Sequence, residues 1–161
     1  MASDMQKKLK LDRESIIQRI RDTLKDPLFA RPGRLNLMLD LKLREDLMKD
    51  RTVVFSFSPK EWALNNYNGV HGGIIASVFD TGMGLSAHAA CGKFVTTTDL
   101  TVDYLKPMIG KRFTLSVEYT HVGRKLISEC GKITDDETGD LCAVCMASFM
   151  IIEKLPPGLQ N

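Results

Sequence analysis

Between Gly72 and Ala90 the chain reads GGIIASVFDTGMGLSAHAA, a proline-free stretch that is apolar or small on almost every side. It predicts a long helix, and a helix without a polar face has to be surrounded by other structure. The rest of the chain must therefore supply a surface that wraps it.

The remaining segments supply that surface as strands. Alternating patterns lie near 94–105, 112–122, 125–134 and 141–152, and the turn DDETGD between the last two predicts a hairpin. The final segment, LCAVCMASFMII, is apolar on both faces, so a central position covered on both sides is expected. Upstream, Leu35, Leu37, Leu39, Leu41 and Leu43 alternate with Asn36, Met38, Asp40, Lys42 and Arg44, the period-2 signature of a half-buried strand. Val53, Phe55 and Phe57 repeat it, and REDLMKDR between the two reads as a connecting turn. Residues 13–25 carry Ile16, Ile17, Ile20 and Leu24 at helical spacing, with Pro27 and Pro32 ending the pattern. Leader helix, two strands, buried helix and four strands describe an α+β chain in which one long helix is embraced by a curved antiparallel sheet.

A length of 161 residues suits one domain with one core. The expected division is a flexible tail at 1–12, a leader helix and linker at 13–33, and a core at 34–152. With 43% hydrophobic and 26% charged residues the composition is ordinary for a globular protein, and no apolar run approaches the roughly 18 residues of a membrane span. A net charge of +2 is too small to argue for nucleic acid. The cluster Lys7, Lys8 and Lys10 reads as a solvated tail, and PPGLQN as a frayed end. MASDMQKKLKLD lacks an apolar secretory stretch and contains acids that transit peptides avoid, so a cytoplasmic location is expected. Of the cysteines Cys91, Cys130, Cys142 and Cys145, only the last two are closely spaced, and in a strand they point to opposite faces. Buried reduced thiols are expected, not a metal site, and His71, His88 and His121 add no metal-ligand spacing.

The stretch NNYNGVHGGIIASVFD, residues 65–80, sets an Asn-rich turn, a histidine and two glycines at the mouth of the helix and one aspartate inside it. The first N–H groups of a helix lack intrahelical acceptors and carry partial positive charge, so a start at Gly72 suits an anion or an oxyanion. Val70 and His71 are poor cappers and would leave those donors open, while Gly72 and Gly73 let a ligand approach the backbone. A carbonyl oxygen that turns negative during acyl transfer fits there. Asp80 would be the base or nucleophile, and its neighbours Val78, Phe79, Gly82, Met83 and Leu85 predict a desolvated carboxyl with a raised pKa. It lies two turns beyond Gly72, about 12 Å along the axis. One site using both therefore needs two protomers, most simply a homodimer. His71 by itself reads equally well as structural or catalytic.

Together with Thr97-Thr98-Asp99-Leu100-Thr101-Val102-Asp103-Tyr104-Leu105-Lys106-Pro107, this stretch resembles the hotdog-fold acyl-CoA thioesterases of the PaaI-like group. In that family an Asn precedes the HGG motif by six residues, an acid follows the His by nine, and the next strand ends in a Tyr-x-x-Pro-like segment. These spacings are met, within a resemblance that covers about residues 35–152. It implies the hotdog fold and hydrolysis of an acyl-CoA thioester with a medium-chain or aromatic acyl group, branched groups remaining open. No cofactor is implied beyond the coenzyme A of the substrate. By position, Asp80 would activate water or attack the thioester carbon, and the Gly72 N–H would polarise the carbonyl. Asn65 would hold water or substrate, His71 would brace the loop, and Thr97 would assist with its hydroxyl. Gly73, Arg124, Lys125 and Lys106 would hold coenzyme A, with Lys93 a weaker candidate. A homodimer that pairs again into a dimer of dimers is implied as well.

One departure stands out. The family commonly has Gly three residues before the His, where this chain has Asn68; Asn tolerates left-handed backbone, so the turn is expected to persist. Two alternatives stay open. One is a hotdog hydratase or dehydratase, which pairs a His with a carboxylate differently. The other is a non-catalytic acyl-CoA-binding or sensor protein, although residues 1–33 hold one convincing helix, too little for a DNA reader.

Overall fold

The computed structural model describes residues 11–154. Lys7, Lys8, Lys10 and the tail 156–161 lie outside them. Helix α1 spans Arg13–Lys25, α2 Leu35–Leu39 and α3 Gly72–Cys91. Strands β1 (Lys42–Leu43), β2 (Thr52–Phe57), β3 (Phe94–Tyr104), β4 (Phe113–Val122), β5 (Leu126–Asp135) and β6 (Leu141–Ile152) form one antiparallel sheet. Its order is β1-β2-β4-β5-β6-β3, and α3 packs on it. The expected α+β arrangement is present.

Helix α1 starts where Asp12 accepts a hydrogen bond from the Ser15 N–H at 3.0 Å, so this end of the expected flexible tail is a helix cap. Its Ile16, Ile17 and Ile20 are buried, and Arg19 Nη1 donates to the Ala89 carbonyl oxygen at 2.7 Å. The leader helix thus satisfies an orphan carbonyl near the C-terminus of α3. Gly92, at φ 66°, closes the same end by donating to the His88 oxygen at 2.7 Å.

The expected strand at Leu35–Leu43 is not one. Leu35–Leu39 is a short helix ended by Asp40 in the left-handed region at φ 51°, and only Lys42 and Leu43 pair with β2. Leu and Met favour helix, and the segment lacks the β-branched and aromatic residues that sustain strands. Strand β2 also differs: Val53 to Phe57 are all buried, so it is covered on both faces.

Close approach sets the packing of α3. A Cβ at Gly82 would lie 2.4 Å from Leu115 Cδ2, and one at Gly131 would lie 2.9 Å from Met83 Sδ and from the Phe79 ring. Phe79 and Met83 are fully buried beneath the sheet, each contributing about 1.5–3 kcal/mol. Yet the helix is not wrapped on every side. Gly73, Ala76, Ser77, Asp80, Thr81, Gly84 and His88 keep partial or full exposure, because small or polar residues at three- and four-residue spacing form an open strip. Strand β6 sits between β5 and β3 as expected, but its outer face is uncovered in the single chain, with Met146 49% and Met150 47% exposed.

One inward position is a carboxylate. Glu129 on β5 is fully buried, and neither side-chain oxygen has a hydrogen-bond partner among the described residues. Burial pushes its carboxyl well above the ordinary range, and the Ser86 hydroxyl of α3 acts in the opposite direction. Nearby, Tyr119 donates its buried hydroxyl to the Ser86 carbonyl oxygen at 2.8 Å, tying β4 to the helix.

Candidate active site

The loop before α3 is built around Asn65. Its Oδ1 accepts from the N–H of Tyr67 at 2.9 Å and of Gly69 at 3.2 Å, while its own N–H donates to the Gly69 oxygen at 2.8 Å. Asn68 takes φ 62°, so asparagine meets the left-handed requirement and the turn persists. His71 then donates its backbone N–H to the Ala63 oxygen at 2.8 Å, which fixes where the helix begins.

His71 is the N-cap, and its Nδ1 accepts from the Gly73 N–H at 3.0 Å. This corrects the expectation that no side chain caps here: an imidazole nitrogen reaches where Ser or Asp usually would. The Gly73 donor is consequently taken. The Gly72 N–H donates to no acceptor among the described residues, so the cap leaves the first donor of α3 available. Tyr104, at the end of β3, donates its hydroxyl to the Gly72 oxygen at 2.9 Å, and its ring lies 3.6 Å from where a Gly72 Cβ would be. A cavity of about 330 Å³ opens beside this group, lined among others by Gly72, Tyr104 and Lys106. Lys106 itself pairs with Asp140 at 2.6 Å and pulls that carboxyl below its usual range.

Asp80 lies elsewhere. It is partly exposed on the open strip of α3, not enclosed as expected, and its Oδ1 accepts from the Thr97 hydroxyl at 2.6 Å. A register irregularity between Thr97 and Asp99 interrupts the β3–β6 ladder at this point, where bulges commonly re-aim side chains. Asp80 and Thr97 line an open cavity of about 570 Å³ floored by Gly84, Leu85 and His88 of α3 and by Phe149 of β6. The His88 Nδ1 is bonded to the Lys93 oxygen at 2.7 Å; as the donor in that contact it would leave Nε2 as the acceptor nitrogen.

The structure therefore joins Asp80 with Thr97 at one cavity and Gly72 with Tyr104 at another, with Asn65, His71 and Gly73 in the loop and cap that lead into Gly72. Arg124 and Lys125 are exposed in the β4–β5 turn, where the Lys125 oxygen accepts from the Ile151 N–H at 2.9 Å. Lys93 pairs with Glu153 at 3.7 Å. Neither Tyr104 nor His88 is among the residues predicted for the site. The four-residue spacing of Asp80, Gly84 and His88 is the signal that places the last on the same face.

The sequence profile of the Thioesterase superfamily matches residues 67–142, which include the helix mouth, Asp80 and Thr97. Solved structures similar to this chain include the Escherichia coli PaaI protein of the phenylacetic acid degradation operon. That match has 17% identity, covers 89% of this chain and 96% of the other, and has a TM-score of 0.73. A thioesterase family protein from Silicibacter pomeroyi matches at 22% identity, 85% and 98% coverage and a TM-score of 0.70. A Streptococcus mutans protein bound to acetyl-CoA matches at 19%, 72% and 91%, with a TM-score of 0.63. At these identities the likeness establishes the shared hotdog fold. No curated protein matches by sequence. The neighbours bear on the fold alone, and the profile match over residues 67–142 is what points to thioester chemistry.

Proposed function

We propose that the chain hydrolyses acyl-CoA thioesters carrying a medium-chain or aromatic acyl group, releasing the free acid and coenzyme A. The observation that carries this is Asp80, oriented by Thr97 and set in the wall of a largely apolar cavity large enough for an acyl group. In the hydrolytic step Asp80 takes a proton from water that adds to the thioester carbon, the carbon–sulfur bond breaks, and the thiolate leaves with that proton. If Asp80 instead attacks the carbon itself, the thiolate leaves as an acyl–Asp80 anhydride forms, and a water then cleaves the anhydride, freeing the acid and Asp80 and supplying the thiol's proton. A free backbone N–H at the mouth of α3 suits the carbonyl oxygen as it becomes negative. Asn65 and His71 hold that mouth in shape, and Asn65 Nδ2 is available to water or substrate.

Gly72 and Asp80 lie two turns apart on one helix, so the complete site uses Gly72 of one protomer and Asp80 of its partner. Strand β3 supports such pairing, since it is an eleven-residue edge strand whose outer backbone groups a second copy could complete. The uncovered Met146 and Met150 face suits a further pairing of dimers. Coenzyme A is favoured as the carrier because one structural neighbour holds acetyl-CoA, and Lys106, Arg124 and Lys125 are the candidates to bind it, whereas the Gly73 N–H is taken by His71. Thiol release from a panel of acyl-CoAs, compared between wild type and Asp80→Ala, tests the proposal. A loss of about 100-fold or more is expected for a folded, oligomeric variant. Wild type that binds acyl-CoA without releasing thiol would instead be a binding protein.

A further inference from the structure

The 570 Å³ cavity beside Asp80 has a second wall that the thioesterase-superfamily match does not include. Thr23 of α1, Asp26, Leu28 and Phe29 of the α1–α2 connection, and Asn36 of α2 line it. We propose that this leader segment, with Leu28 and Phe29 at its centre, closes the far end of the acyl site and sets the longest acyl chain accepted. The inference rests on the thioesterase function proposed above.

The geometry gives the cavity a direction. Asp80, Gly84 and His88 follow one another at four-residue spacing, so the floor runs along one face of α3 for about 12 Å from the reacting end. Arg19, holding the Ala89 oxygen, places α1 at the C-terminal end of α3, beyond His88. The leader segment therefore stands at the end remote from Asp80. It is also a built turn: Asp26 accepts from the Leu28 N–H through Oδ1 and from the Ala30 N–H through its carbonyl oxygen, both at 2.8 Å. Phe29 packs against the core, while Leu28 is 66% exposed although it lines the cavity. An exposed leucine on a braced turn, with the exposed Phe94 in the same lining, makes an apolar stop that an acyl terminus can cover. Midway, Gly84 leaves the channel open. A Cβ there would meet only Phe149 Cε1, at an ordinary 3.5 Å, so a larger side chain at this position fits the helix and enters the channel.

The experiment is kcat/KM against straight-chain acyl-CoAs of graded length for wild type, Phe29→Ala, Leu28→Ala and Gly84→Leu, each confirmed folded by circular dichroism. For wild type, kcat/KM should rise about fourfold per buried methylene up to a limit and then fall. Phe29→Ala and Leu28→Ala should move that limit to longer chains, and Gly84→Leu to shorter ones. Leu28→Ala removes an exposed side chain, so its result does not depend on refolding of the core. Unchanged profiles in both leader variants, with active wild type, overturn the inference and leave the thioesterase function standing. If wild type releases no thiol, the thioesterase function fails separately. Displacement of cis-parinaric acid by fatty acids of graded length then reads the same two opposite shifts, and their absence overturns the inference.

Discussion

If the Gly72 N–H is the oxyanion donor, it can be removed without moving the helix. Gly72 is the first helical residue, the position where proline is favoured because its N–H has no intrahelical partner. His71 before it is extended, at ψ 134°, the conformation a following proline requires. The donor lost makes no hydrogen bond among the described residues, and Tyr104 stands at contact distance, not overlapping. Gly72→Pro should therefore leave the melting temperature near that of wild type while lowering kcat about 10²–10³-fold, or about 2.7–4 kcal/mol. The proposed two-protomer site adds a second, sharper outcome. Co-refolding Gly72→Pro with Asp80→Ala gives mixed dimers in which one site joins intact Gly72 to intact Asp80 and the other joins both lesions. Random pairing then restores about a quarter of wild-type activity from two inactive parents. A mixture as inactive as either parent, with both verified folded and exchanged, refutes the shared site.

Glu129 should make stability fall with rising pH. Its folded carboxyl titrates well above the ordinary 4.5, so above 4.5 the folded state holds more protons than the unfolded state, costing up to about 1.4 kcal/mol per pH unit until the folded pKa is passed. Glu129→Gln should flatten that slope in urea denaturation at fixed protein concentration, and an unchanged slope would show that the carboxyl does not titrate in this range. Gly131→Ala should cost about 1–3 kcal/mol, because the added methyl meets Met83 and Phe79 inside contact distance. Burial pushes the Cys145 thiol up to about 12, so iodoacetamide should leave it unmodified at pH 8 until the protein unfolds; rapid native-state labelling would contradict its burial.

Helix α3 and the long strands β3 to β6 are legible in the sequence because each is a sustained periodic pattern with clear turn residues at its ends. The segment Leu35–Leu43 misleads because alternation alone does not make a strand: leucine favours helix, and Asp40 in the left-handed region interrupts the run. Asp80 and Gly72 stand out by their place in the motif, whereas the exposure of Asp80 depends on how far the sheet curls around α3, which no local pattern records. The leader wall of the cavity is illegible for a similar reason. Phe29 and Asp80 are far apart in sequence and come to line one cavity only through the packing of α1 on α3. Glu129 could have been found: in Ile127, Glu129, Gly131 and Ile133 the alternation assigns it to the inward face, and a carboxylate there is an anomaly the pattern itself marks.

The strand order has a consequence for how the chain is made. Strand β2 is joined in the sheet to β4 and β3 to β6, so α3 and both of those strands leave the ribosome before the surfaces that will cover them exist. Only β4, β5 and β6 form a continuous meander of neighbouring hairpins, and low separation favours these contacts as the earliest to form. A nascent chain ending after Tyr104 carries an apolar twenty-residue helix with no sheet to lie on, and it is expected to aggregate or to remain chaperone-bound. Release should coincide with the emergence of β6, which makes the last strand of the sequence the one that commits the molecule to its fold.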